Sequence, residues 1–120
     1  MTTPAVTVAV TIISIWSKCP GTPGHERNAQ YAVEVDATGT PYDILDRAFV
    51  ATNDDDRPLG TEVCSTTAGD IMVLDDQPYL VEGIGFVPVT KAQAFDIEQL
   101  DSRETSGGLA YLLKHKLITP

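Results

Sequence analysis

Residues 5–16, AVTVAVTIISIW, alternate between two sets of side chains with a period of two residues. Most of these residues are β-branched, and the side chains of a strand point alternately to its two faces. The two sets are Val6, Val8, Val10 and Ile12 on one face and Thr7, Ala9 and Thr11 on the other. The alternation predicts a strand whose first set faces the core, and its smaller face has room for a helix lying across it.

A loop and a second strand are predicted next. Residues 17–28, SKCPGTPGHERN, contain two prolines and two glycines, which favour an irregular connection. The segment YAVEV at 31–35 alternates again, with Tyr31, Val33 and Val35 on its inward face. We expect these two strands to pair as a hairpin with a long loop.

A helix is predicted to begin after Thr40, which is a good N-cap, with Pro41 in the first helical position. Asp43 is placed to reach back to the cap and to pair with Arg47 one turn later. The apolar face of this helix is Ile44, Leu45, Ala48 and Phe49. We expect the helix to end near Thr52 or Asn53.

The stretch TAGDIMVLDDQPYLVE, residues 67–82, predicts a hairpin. Strands are expected at 71–74 and 79–82, with a turn over 75–78, and residues 62–65 are a candidate for one more short strand. Gly83 and Gly85 indicate a bulge or a sharp bend before a further strand at 86–89. In the Gly69-Asp70 pair, the aspartate is expected to bind nearby backbone N–H groups and fix the turn.

The C-terminal part is predicted to be helical. Thr90 and Gln93 match a capping box, and residues 102–108 interrupt the pattern. After this break, the apolar helical spacing resumes at Leu109, Leu112, Leu113 and Leu117.

The predicted order is β-β-α-β-β-β-α-α, an α+β fold in which about five mostly antiparallel strands pack against two or three helices. A length of 120 residues favours a single domain over residues 1–120.

The N-terminal apolar run is interrupted by threonines and lacks a basic segment before it, so neither a secretory signal nor a membrane span is expected. Cys19 and Cys64 lie far apart in the sequence and no signal peptide is expected, which favours reduced thiols and a cytoplasmic location. Trp16, at the end of the first strand, is expected to cover the edge of the core.

Seventeen acidic residues against eight Lys and Arg give a formal net charge of -9. Nucleic-acid affinity depends on Lys and Arg that displace counterions from phosphates, so direct nucleic-acid binding is not expected. The acidity is expected either simply to keep the chain soluble or to serve binding, in which case the chain would meet a basic protein surface or imitate the charge of DNA. The acidic runs Asp54, Asp55 and Asp56, and Asp75 and Asp76, are the candidate protein-binding surface.

No catalytic, metal-binding or cofactor-binding residues are predicted. Cys19 with His25, or Cys64 with His115, would need an orienting third group and an oxyanion hole, and neither is indicated by the surrounding sequence. The four residues also lack the paired spacing of zinc ligands. Consecutive aspartates point in different directions and stay hydrated, and the 54–56 run does not have the alternating ligands of an EF-hand loop.

The segment STTAGDIMVLDDQPYLVEGIGFVPVT, following the helix YDILDRAFVATN, resembles small YodL-like proteins of phages, plasmids and Gram-positive bacteria. The resemblance covers about residues 40–90. The matching residues are Ser65, Gly69, Asp70, Leu74, Asp75, Tyr79, Val81, Gly85 and Phe86. The chain departs from the pattern at Asp76, Gln77 and Pro78, where the relatives place glycine in the turn.

The resemblance implies no enzyme activity and no catalytic residues. It implies a small accessory protein of a mobile element that binds and modulates a host protein. Two alternatives stay open at this point. One is a DNA mimic that inhibits a restriction, CRISPR or other DNA-binding defence protein, and the other is a virion or structural component that assembles through the edge of its first strand.

Overall fold

Five strands form one sheet in the order β2-β1-β3-β4-β5, and every neighbouring pair is antiparallel. The structure is a computed structural model that describes residues 6–15, 29–53, 66–100 and 102–120. The strands are β1 (Thr7–Ser14), β2 (Ala29–Asp36), β3 (Ile71–Leu74), β4 (Gln77–Val81) and β5 (Phe86–Pro88). The candidate strand at 62–65 and the expected positions of Trp16 and the 17–28 loop lie outside the described residues.

The predicted first hairpin is present, with β2 paired along the whole of β1 from Thr7↔Asp36 to Ser14↔Ala29. On its other side β1 pairs with β3 over Thr11–Ile13. The first strand therefore lies between β2 and β3, and the edge strands among the described ones are β2 and β5. Because β3 covers only three residues of β1, assembly through the rest of that edge stays a prediction. Val6 was expected to face the core, but it lies before β1 begins and is 68% exposed.

The described helices are α1 (Pro41–Asn53), α2 (Lys91–Glu98), α3 (Ser102–Thr105) and α4 (Gly108–Lys114). The predicted caps are confirmed. Thr40 Oγ1 accepts from the Asp43 N–H while Asp43 Oδ2 accepts from the Thr40 N–H, and Thr90 and Gln93 form the same reciprocal arrangement. Arg47 does not bond to Asp43 as expected: it donates to the Asp36 carbonyl at 2.9 Å and lies 3.9 Å from the Asp36 carboxylate.

Both faces of the sheet carry a core, and the second face is covered only in part. The first core, under α1, is formed by Val10, Ile12, Val33, Val35, Ile44, Leu45, Ala48, Met72, Leu74, Tyr79 and Val81. The second core, under α2 and α4, is formed by Ile13, Ile15, Ile71, Leu80, Val89, Ile97, Leu112 and Ile118. Adjacent residues such as Ile12 and Ile13 therefore serve opposite cores, because side chains alternate along a strand. Helices do cross the second face, over the C-terminal end of β1, whereas Thr7 and Ala9 remain exposed.

The predicted α+β class and element order are confirmed, with one helical turn more than expected. That turn, α3, lies in the segment predicted as a break, and α4 ends at Lys114, earlier than the apolar spacing suggested. The expected 75–78 turn is shorter: Leu74 pairs with Gln77, so only Asp75 and Asp76 connect β3 to β4.

Within the described ranges, no helix has both the length and the apolar character needed to cross a membrane.

Candidate protein-binding surfaces

The Gly69-Asp70 pair is a structural junction. The Asp70 side chain is 2% exposed, and its two carboxylate oxygens accept from the backbone N–H of Ile15 at 3.1 Å and of Thr67 at 2.9 Å. The Asp70 carbonyl also accepts from the Val81 N–H at 2.9 Å. One residue thus joins β1, the turn before β3 and the end of β4. The predicted role in fixing the turn is confirmed.

Gly69 is required on two grounds. Its φ is +98°, a conformation that side-chain-bearing residues rarely adopt. A Cβ at this position would also lie 2.5 Å from Thr105 Oγ1 and 2.9 Å from the Ser106 nitrogen. The motif therefore lets the turn after α3 approach the sheet.

The β3–β4 turn carries the described part of the predicted acidic surface. Asp75 and Asp76 both have positive φ, 49° and 67°, which is the geometry of a two-residue hairpin turn of the I′ kind. Both residues are exposed, and Asp76 Oδ2 forms an ion pair with Lys91 Nζ at 2.7 Å. Asp54, Asp55 and Asp56 lie outside the described residues, so the candidate surface they would share with this turn stays a prediction.

Three other exposed carboxylates have lowered pKa values because they accept local hydrogen bonds. The Thr38 hydroxyl and N–H lower the pKa of Asp36, and the N–H and hydroxyl of Thr40 lower that of Asp43. The Thr119 hydroxyl and N–H lower the pKa of Asp96, tying the C-terminus to α2. These aspartates therefore hold helix ends and turns in place.

His115 is exposed at the end of α4, where its ring lies 4.4 Å from that of Tyr111. Its hypothetical catalytic partner Cys64, and the Cys19–His25 pair, fall outside the described ranges. In the part of the chain that the structure describes, no three His, Cys, Asp or Glu side chains are grouped to hold a metal ion.

A groove of about 370 Å³ lies between α2 and the second face of the sheet. Its floor includes Ile13, Ile71 and Val73, and the ring of Phe95 borders it with 63% of its surface exposed. Asp76 and Lys91 line the same groove and are paired with each other. The floor of the groove is apolar. Of the three charged residues that line it, Asp76 and Lys91 neutralise each other, and the third is Glu98.

A smaller pocket of about 130 Å³ lies on the opposite side of the sheet, between α1 and the β4–β5 connection. It combines two phenyl rings with two carboxylates and two glycines. The lining residues are Asp46, Phe49, Val81, Glu82, Gly83, Gly85 and Phe86. The rings of Phe49 and Phe86 meet edge to face with centroids 6.3 Å apart, so they form a defined aromatic wall.

The β4–β5 connection keeps this pocket open. The Glu82 N–H donates to the Gly85 carbonyl at 3.0 Å, which closes a tight loop, and Gly85 has a φ of +82°. Apart from the adjacent residues, no heavy atom in the described part of the chain lies within 4 Å of a Cβ built on Gly83 or Gly85. Ile84, between these glycines, is 96% exposed and is the most exposed large apolar side chain described. We name Ile84 and the seven pocket residues the loop surface.

Glu82 is held in position by a second contact. Its Oε2 accepts from the Leu109 N–H at 2.8 Å, in the first turn of α4. The sequence indicated a bend at Gly83-Ile84-Gly85 but not this pocket, because Asp46 and Phe49 come from a helix more than 30 residues earlier. An isoleucine flanked by two glycines in a turn was the available signal, since such a side chain has no neighbours to bury it.

Comparison of the chain with family models, curated proteins and solved structures finds no match. The resemblance to YodL-like proteins therefore stays a prediction.

Proposed function

We propose that this protein is a non-enzymatic binding protein of a phage or other mobile element, and that it acts in the bacterial cytoplasm on a host protein through the loop surface. The observation that carries the binding role is the full exposure of Ile84 beside an acidic, aromatic-walled pocket. The position of Ile84 beside a concave, aromatic-walled site supports an interaction surface, since the centre of such surfaces is apolar and their rim is polar.

The net charge of -9 supports a partner with a basic surface, because opposite charge accelerates encounter and disfavours acidic competitors. The mobile-element origin rests on the resemblance over residues 40–90 alone. The described carboxylates do not favour DNA mimicry, since Asp46 lies on α1 while Glu34 and Glu98 lie on the other side of the sheet. Several others hold the fold together through internal hydrogen bonds.

The test is affinity capture from a host lysate at low and at moderate salt, read by quantitative mass spectrometry. The wild type is compared with Ile84→Ser and with Phe95→Ser as a matched control. Both substitutions remove an exposed apolar side chain, one from the loop surface and the other from the groove across the sheet. Neither is expected to disturb folding.

We expect one host protein to be retained at moderate salt by the wild type and by Phe95→Ser, and to be lost with Ile84→Ser. Capture that is identical for all three proteins would contradict the proposal. So would a partner that depends on Phe95 alone, the release of every captured protein at moderate salt, or the absence of any partner.

A further inference from the structure

The pocket of the loop surface is large enough for the terminal group of one side chain. Its volume of about 130 Å³ is well below the roughly 300–1,000 Å³ of pockets that enclose drug-sized ligands. It is open through Gly83 and Gly85, where no side chain of the described residues covers it. An elongated group that enters from outside can therefore reach the aromatic wall without moving the backbone.

The lining residues favour a cation. Asp46 on α1 and Glu82 at the end of β4 are the two acidic residues of the lining, and the Glu82 carboxylate is already bonded to the Leu109 N–H of α4. None of the described residues that line the pocket is a Lys, Arg or His, so none of them balances the charge of Asp46. The phenyl rings of Phe49 and Phe86 present π surfaces that attract cations, and their apolar wall also suits a methylene stem.

Among biological cations, a guanidinium fits this combination best. It is planar, stacks on aromatic rings, is less strongly hydrated than an ammonium group and presents several N–H donors in a fixed fork. The exposed Asp46 carboxylate can accept from one edge of that fork. We propose that the pocket receives an arginine side chain from the partner protein, seated against Asp46 and the rings of Phe49 and Phe86, with Ile84 packing beside it. This inference rests on the proposed function, because it names the residue that the partner presents.

The pocket can be tested without the partner. The full chain, labelled with ¹⁵N, is titrated with Nα-acetyl-arginine amide, which mimics an arginine within a chain, and backbone amide shifts are followed by NMR. Nα-acetyl-citrulline amide is the neutral control of nearly equal shape, and Nα-acetyl-lysine amide tests the guanidinium preference. We expect millimolar binding of the arginine probe, with the largest shifts at Gly83, Ile84 and Gly85.

Asp46→Asn is the test variant, because Asp46 is exposed and its removal does not threaten the core. Glu34→Gln removes the same charge from an exposed position on β2 and is the matched control. We expect Asp46→Asn to weaken binding of the arginine probe by about two- to fivefold, and Glu34→Gln to leave it unchanged. The citrulline probe should produce no shifts at the loop.

Four results would overturn the assignment. The first is amide shifts with the citrulline probe as large as those with the arginine probe, and the second is a lysine probe that binds as tightly as the arginine probe. The third is an equal loss of arginine-probe affinity in Asp46→Asn and Glu34→Gln, and the fourth is shifts spread evenly over the acidic surface. Free L-arginine is added as a last arm, because binding tenfold tighter than the blocked probe would indicate a small-molecule site instead of a protein contact. If the NMR test fails while Ile84-dependent capture succeeds, the arginine assignment falls and the proposed function stands. If the NMR test succeeds while capture fails, the proposed function falls and only the preference of the pocket for a guanidinium remains.

Discussion

The Asp70 carboxylate accepts a hydrogen bond from the backbone N–H of Ile15, a residue 55 positions earlier in the chain. The bond lies in the interior, where Ile15 is fully buried and Asp70 nearly so. It fixes the end of β1 against the turn that begins β3. A buried carboxylate whose oxygens meet backbone donors on both sides stabilises a junction that hydrophobic packing alone would leave loose.

Replacing Asp70 with Ala is expected to lower the free energy of unfolding by about 2–4 kcal/mol, because the N–H groups of Ile15 and Thr67 lose their acceptor inside the protein. Asp70→Asn keeps one carbonyl oxygen and should lose about 1–2 kcal/mol. Urea denaturation followed by circular dichroism measures both. Glu34→Gln, an exposed change, is the control, and an Asp70→Ala variant as stable as this control would show that the junction is dispensable.

Gly69→Ala is expected to lower the free energy of unfolding by about 2–4 kcal/mol, since the residue has positive φ and its Cβ would overlap Thr105 Oγ1. Gly83→Ala offers a matched control, because its φ is ordinary and its Cβ would enter open space. That control should stay within about 0.5 kcal/mol of the wild type. Thermal unfolding of the two variants side by side decides the point, and equal stability would refute the close approach.

The β3–β4 turn is expected to be more stable with glycine than with alanine at position 76. Asp76→Gly and Asp76→Ala both remove the ion pair with Lys91, so their difference reports the backbone alone. Because alanine is strained at a φ of 67°, the glycine variant should be more stable than the alanine variant by about 1–2 kcal/mol. Chemical denaturation gives the comparison. Equal stabilities would mean that the turn changes conformation when the aspartate is removed.

Acid is expected to destabilise the protein. The pKa values of Asp36, Asp43 and Asp96 are lowered in the folded state from the ordinary value of 3.8, so each contributes stability that is present above pH 3.8 and is lost as pH falls through the folded pKa. Thr119→Ala removes the hydroxyl that contributes most at Asp96, and should raise the pKa of that carboxyl. Carboxyl ¹³C NMR titration measures the pKa, with Thr7→Ala on β1 as control. An unchanged Asp96 pKa would contradict the assigned cause.

Local patterns were sufficient to predict most elements, because each depends on residues close together in the sequence. The Thr40 and Thr90 caps bond only to residues three positions away, and the predicted helix starts are confirmed. The two-residue turn at Asp75-Asp76 was not predicted, since these residues lack the glycine that usually identifies this geometry. The prediction that Val6 faces the core was wrong, because the alternation of side chains does not show where a strand begins or how far the packed helix covers it.

The sequence by itself determined the strand and helix order, the alternating faces of β1 and β2, and the role of Asp70 in its turn, because periodicity and capping act within a few residues. Only the tertiary structure decided that each face of the sheet carries a core, that β1 lies between β2 and β3, and that Asp46 and Phe49 line one pocket with Glu82 and Phe86. These relationships join residues far apart in the chain, and they follow from how the elements pack, which local sequence patterns do not encode.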